Sequence, residues 1–180
     1  MRNSLFFIIK VLGNLYLALF LLRFIMQWVR ADFYNPMAQF IVKATNPLVV
    51  PARRIIPATS SIDIPTLVVL ILIQAATTWL LLNVASIPTD LAGFSVLVIL
   101  RLATLTLSLY TWTIMVYVIL SWVSPGYHPL AGILGELNEP VLQPFRRIIP
   151  PISGIDLSPL VAVILIQAIS QGIPIPGLLR

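Results

Sequence analysis

Cysteine is missing from all 180 residues, and there is a single histidine. Disulfides, thiolate metal sites and covalent haem attachment are thereby excluded. Charge is scarce as well. Asp, Glu, Lys and Arg make up 9% of the chain, against roughly 25% in a soluble domain. With 59% hydrophobic residues and a mean hydropathy of +1.00, neither a soluble globular domain nor a disordered chain fits, and an integral membrane protein remains. Enzyme signatures are also missing: there is no P-loop, no Gly-x-Ser-x-Gly, no His-Glu-x-x-His and no cysteine nucleophile. A non-enzymatic chain without metal or cofactor is the expectation. The formal charge is +5. Its few basic residues sit near the ends of apolar runs, so they read as orienting and headgroup-binding groups. No nucleic-acid partner is expected.

Four apolar runs approach the length needed to cross about 30 Å of hydrocarbon. They cover about 5–29, 64–86, 96–122 and 157–173, the last being short. The first run is too long for a secretory h-region. Arg30, Lys43, Arg53 and Arg54 lie between runs one and two, and Arg146 and Arg147 between runs three and four. This excess predicts that both long loops are cytoplasmic and both termini outside. Lys10 and Arg23 fall inside run one and Arg101 near the entry of run three, where long side chains snorkel.

The chain repeats itself. Shifted by 93 residues, 47–75 falls on 140–168 with 17 of 29 positions identical. The match includes Arg53-Arg54-Ile55-Ile56-Pro57 on Arg146-Arg147-Ile148-Ile149-Pro150, Asp63 on Asp156, and Ile-Leu-Ile-Gln-Ala at 71–75 and 164–168. Upstream, after a one-residue gap, Trp28 meets Trp122 and Tyr16 meets Tyr110. The expected domains are therefore repeat 1 at 1–86 and repeat 2 at 87–180. Each unit holds two spans, so the repeats are parallel and both arginine pairs face the same side. The loops are patterned too. Met37, Phe40, Ile41, Ala44 and Leu48, and their counterparts Leu130, Ile133, Leu134, Leu137 and Val141, recur at helical spacing. They predict a short amphipathic helix in the interface of each repeat. Twelve of the 15 prolines fall in 36–65 and 125–159, which predicts kinked, rigid connectors.

The doubled motif resembles the YggT family of small bacterial membrane proteins, which also has plastid relatives. The resemblance rests on Pro51-x-Arg53-Arg54-Ile55-Ile56-Pro57 with Asp63, and on Pro144-Phe145-Arg146-Arg147-Ile148-Ile149-Pro150-Pro151 with Gly154-Ile155-Asp156-Leu157-Ser158-Pro159. The first copy departs from the pattern, with Ser61 in place of the glycine and Pro65-Thr66 in place of Ser-Pro. The resemblance covers essentially the whole chain. It implies a bacterial inner-membrane protein of two repeats. It also implies links to osmotic tolerance and cation homeostasis, or to division and membrane organisation. For plastid members it implies haem attachment on a cytochrome.

Three sets of residues are candidates for function. Arg53, Arg54, Arg146 and Arg147 offer guanidinium forks that match phosphate oxygens, although fixing orientation is a sufficient role for them. Asp63 and Asp156 precede spans two and four and suit helix capping or a salt bridge to the arginines. Gln74, Thr77 and Thr78, with Gln167, Ser170 and Gln171, form matching polar stripes about 16 Å past each aspartate. Such groups face protein or water rather than lipid. Arg101, Thr104, Ser108 and Thr111 form a stripe on span three. His128 stands alone and is a weak metal ligand.

The sequence thus predicts an all-α membrane protein of four spans in two parallel repeats. Its expected role is to organise or assemble membrane partners, with the arginine loops docking anionic lipid or protein. The competing expectation is a subunit of a small oligomeric channel or transporter affecting cation or osmotic balance, lined by the glutamine stripes.

Overall fold

A computed structural model describes residues 2–56, 62–123, 128–150 and 156–179. Pro57, Ser61, Tyr127, Pro151 and Gly154 of the repeated motif lie outside them. The described residues form helices and connecting segments, without strands. The order is α1 (Arg2–Trp28), α2 (Pro36–Ile55), α3 (Ile64–Ala85), α4 (Leu91–Val123), α5 (Pro129–Ile148) and α6 (Ser158–Gly172). A long apolar helix, an amphipathic helix and a second apolar helix follow one another twice.

Local chemistry sets the helix boundaries. Asn35 caps α2 by accepting from the Met37 amide at 2.9 Å, with Pro36 in the first turn. Asp63 caps α3 through the Thr66 amide and hydroxyl. The Asp90 carboxylate accepts from the Gly93 amide at 3.0 Å at the start of α4. His128 Nδ1 accepts from the Leu130 amide at 3.2 Å, so the lone histidine acts as the cap of α5. Asp156 departs from the expected cap. Leu157 holds the N-cap position without a side-chain bond, and Asp156 instead accepts from the Ser158 amide.

Three helices, α1, α3 and α4, are long and apolar enough to cross a membrane. The expected fourth span is shorter than anticipated. Helix α6 has 15 residues, which rise about 22 Å. Pro174 and Pro176 then stop it, and 173–179 folds back so that Ile175 and Leu179 pack against Phe6, Leu81 and Leu82.

The loop prolines also behave differently from the expectation of kinked connectors. Pro47 and Pro51 lie inside the 20 residues of α2, and Pro140 and Pro144 inside those of α5. Proline removes one main-chain bond per turn. All four stand on exposed positions, where solvent can satisfy the freed carbonyls.

The largest core cluster joins Leu17, Phe20, Ile25 and Met26 of α1 to Ile41 and Val49 of α2, Leu70 of α3 and Leu134 of α5. A second cluster joins Ile114 of α4, Leu142 of α5 and Ala162 and Ile166 of α6. Helices α1 and α3 approach closely at Gly13, where an added Cβ would stand 2.7 Å from Thr77 Cγ2. Leu12, Leu15, Leu72, Ile99, Trp112 and Ile164 are exposed outside the core. Such a surface needs an apolar surrounding.

Helix α2 carries two apolar faces. Ala38, Ile41, Thr45 and Val49 are buried against the bundle. Met37, Phe40 and Leu48 are exposed, about a quarter turn away at 100° per residue. The expected α2 face is therefore split, and only Ile41 of the five named residues is fully buried. In α5, Ile133, Leu134 and Leu137 of the expected face are buried.

Candidate functional site

The foot of repeat 1 is built on one carboxylate. The Asp63 side chain is fully buried, and its Oδ2 accepts from Arg53 Nη2 at 2.7 Å, with Arg23 Nε at 4.0 Å. Arg23 also donates to Thr45 Oγ1 at 2.7 Å and Asn46 Oδ1 at 2.9 Å. The cluster therefore ties α1 to α2 and α3. Arg23 does not snorkel: it is 4% exposed, because its acceptors are supplied from inside the bundle. Only its place on the face of Phe20, three residues before it, hinted at this in the sequence.

The foot of repeat 2 has the same ion pair in a looser setting. Arg146 Nε donates to Asp156 Oδ2 at 2.9 Å and Nη1 pairs with Glu139. The Asp156 side chain is 38% exposed. With the one-residue gap, Tyr117 stands where repeat 1 has Arg23. Partial burial works to raise the Asp156 carboxyl, but hydrogen bonds from Ser158 and Arg146 outweigh it and hold the carboxyl below its ordinary value.

Each arginine pair is divided. Arg53 and Arg146 are engaged by the aspartates, whereas Arg54 and Arg147 are exposed and have no polar partner among the described residues. The helical rotation of 100° between neighbours turns the second guanidinium away from the first. The two pairs also stand apart from the junction of α2 and α5. That junction lies at the helix starts, where Asn35 Nδ2 donates to the Pro129 carbonyl at 2.7 Å.

Beside each ion pair is an apolar groove. In repeat 1 a cavity of about 310 Å³ is lined by Phe24, Trp28, Ile62 and Asp63. In repeat 2 one of about 230 Å³ is lined by residues including Val118, Trp122, Asp156 and Pro159. Under the repeat register Phe24 corresponds to Val118, Trp28 to Trp122 and Asp63 to Asp156. The repeated tryptophans alone do not reveal the grooves, which need two helices to form.

The polar stripes gather in mid-bundle around Arg101. Its Nη1 donates to Thr78 Oγ1 at 2.8 Å, its Nε to the Leu179 carbonyl at 3.1 Å and its Nη2 to Asn14 Oδ1 at 3.4 Å. Arg101 is therefore an interior residue rather than a snorkelling anchor. Gln74 is buried and donates to Thr78 Oγ1 at 3.3 Å. Its Oε1 has no donor among the described residues. Thr77 packs on Gly13. Gln167, exposed where Gln74 is buried, donates to Thr111 Oγ1 at 3.3 Å. Gln167, Ser170 and Gln171 line a cavity of about 290 Å³ with Arg101, Thr104 and Ser108. The α4 and α6 stripes thus meet, apart from Thr111, which is bonded by Gln167 but does not line the cavity.

No group of three or more His, Cys, Asp and Glu side chains able to hold a metal occurs among the described residues.

A family model described as CCB3/YggT matches residues 2–84 and 96–176. An uncharacterized Pseudomonas aeruginosa protein, PA0392, is 42% identical over 176 residues, covering 95% of this chain and 88% of that one. The uncharacterized protein YggT of Escherichia coli K12 is 37% identical over 171 residues, covering 95% and 89% respectively. YlmG homolog protein 2, chloroplastic, of Arabidopsis thaliana is 33% identical over 65 residues, 36% of this chain and 26% of that one. No solved structure matches.

Proposed function

The chain belongs to the CCB3/YggT family, and from that premise we propose that it is a non-enzymatic, four-span factor of the bacterial inner membrane that organises partners by holding anionic lipid at one face. The observation that carries this reading is a duplicated arrangement. In each repeat an exposed arginine, Arg54 or Arg147, ends an amphipathic helix. In each repeat, too, a tryptophan-lined apolar groove is lined by the aspartate that pairs with the first arginine. A phospholipid has the matching chemistry, with a phosphate for a guanidinium and an acyl chain for the groove. Helices α2 and α5 lie along the cytoplasmic interface in this reading. The exposed Met37–Phe40–Leu48 face of α2 enters the acyl boundary. Helix α6 crosses with its short end recessed.

The test compares the wild-type chain with an Arg54→Gln/Arg147→Gln variant, each extracted in native-lipid discs. Mass spectrometry then measures acidic phospholipid per chain, co-purifying proteins and oligomeric mass. The expected result is loss of retained acidic lipid in the variant, with insertion unchanged, and a protein partner on the wild type. Equal lipid retention by both overturns the reading.

The polar cavity around Arg101 supports a second reading, a subunit of a small channel or transporter affecting ion or osmotic balance. Four spans enclose little by themselves, so that reading requires a homo-oligomer. A homo-oligomer without a protein partner, together with flux abolished by Gln167→Leu, favours it.

A further inference from the structure

Arg101 differs from the other buried guanidinium in what surrounds it. Arg23 has Asp63 within 4.0 Å. Arg101 is 4% exposed and pairs with no Asp or Glu, although all six acidic side chains are among the described residues. Its three acceptors are a carbonyl, a hydroxyl and an amide oxygen, all neutral. A guanidinium has five N–H groups, of which the described residues engage three. A second cation lies close by, where Lys10 Nζ donates to the Leu178 carbonyl at 3.1 Å, next to the Leu179 carbonyl that Arg101 uses. Among the described residues no carboxylate offsets this interior charge, which is costly to leave alone, and a bound anion lowers that cost.

The space for such an anion is present. The cavity of about 290 Å³ lies between α4 and α6, with Asn14 of α1 and Leu179 closing it. Its lining includes Ser108 and Gln167 beside Arg101. Access follows from the length of α6. Its 15 residues stop about 8 Å short of a 30 Å core. Gln171 and Ser170 of its last turn line the cavity. The cavity thus extends to the last turn of α6, and Arg101 lies about 15 Å along α4 from its start. The repeat does not supply this site twice, since Phe7 stands at the position equivalent to Arg101.

We infer that the Arg101 cavity is a binding site for a single phosphate-class oxyanion, held by the guanidinium fork and the Ser108 hydroxyl. The inference is independent of lipid docking at the arginine loops. The oxyanion can come from free phosphate or from a lipid headgroup, and the test separates the two. The chain is purified in maltoside micelles stripped of phospholipid, and its Tm is followed against inorganic phosphate, with chloride at matched ionic strength as the reference. A parallel titration adds phosphatidylglycerol to the micelles. The expected result is a saturable rise in Tm with phosphate. Ser108→Leu, which intrudes on the cavity but spares the protein bonds of Arg101, weakens the response about tenfold or more. Arg101→Gln abolishes it. A rise with phosphatidylglycerol alone assigns the site to a headgroup. A wild-type Tm unmoved by either probe overturns the inference, and so does a Ser108→Leu chain that responds like the wild type.

Discussion

Arg23 and Asp63 meet at 4.0 Å in a dry setting, with exposures of 5% and 0% for the two side chains. The second guanidinium on the same carboxylate, from Arg53, is at 2.7 Å. One acid thus neutralises charge arriving from two helices.

Removing that acid is predicted to be severe. Asp63→Asn leaves Arg23 buried without a counter-charge, which costs about 3–5 kcal/mol. Asp156→Asn, at the half-exposed counterpart, costs under about 1 kcal/mol. Thermal unfolding of the two variants in lipid discs measures the difference. Combining Asp63→Asn with Arg23→Met restores most of the loss, because an apolar replacement of a buried pair is often close to neutral.

The foot of repeat 2 also responds to acid. The folded Asp156 carboxyl is held below its unfolded value, so its contact with Arg146 is complete above about pH 4. The contribution is lost as pH falls through the lowered folded value. The Ser158 amide resonance, which reports the carboxylate directly, is predicted to titrate with a midpoint below that of a free aspartate. Arg146→Gln moves the midpoint upward.

The α1–α3 contact has a prediction of its own. Gly13→Ala places a Cβ 2.7 Å from Thr77 Cγ2 and destabilises the chain by about 1–3 kcal/mol. Adding Thr77→Ser removes the methyl group and recovers most of that loss. A double-mutant cycle on unfolding temperature gives the coupling.

Because the chain has no cysteine, topology can be mapped with single introduced thiols. Gln39→Cys and Gln143→Cys are predicted to react with an impermeant maleimide from one face. Thr89→Cys and Gly177→Cys react from the other. If Gly177→Cys reacts from the same face as Gln143→Cys, α6 does not cross and the four-span layout is wrong.

Much of this fold could be read from the chain. The shift of 93 residues, the long apolar runs and the Asp63 cap all follow from spacing and residue type, which are local properties. The positions that escaped reading depend on partners far away in sequence. An arginine in an apolar run looks the same whether it snorkels or turns inward. What sends Arg23 inward is Thr45 and Asn46 on α2, and for Arg101 it is Thr78 and Leu179 on other segments. The prolines of α2 and α5 misled because helix breaking depends on whether the freed carbonyl faces water. The division of each arginine pair was implicit in the helical rotation, but it emerged only once Asp63 and Asp156 were placed.

Fusing two copies into one chain has a consequence for buried charge. Arg23 has Tyr117 as its counterpart and Arg101 has Phe7. In a dimer of identical single-repeat subunits, every interior guanidinium must occur twice, and both must be accommodated. A tandem gene escapes that constraint, because each half can mutate alone. The two interior arginines among the described residues are both of the kind that only a fused, diverged duplicate can hold as single copies.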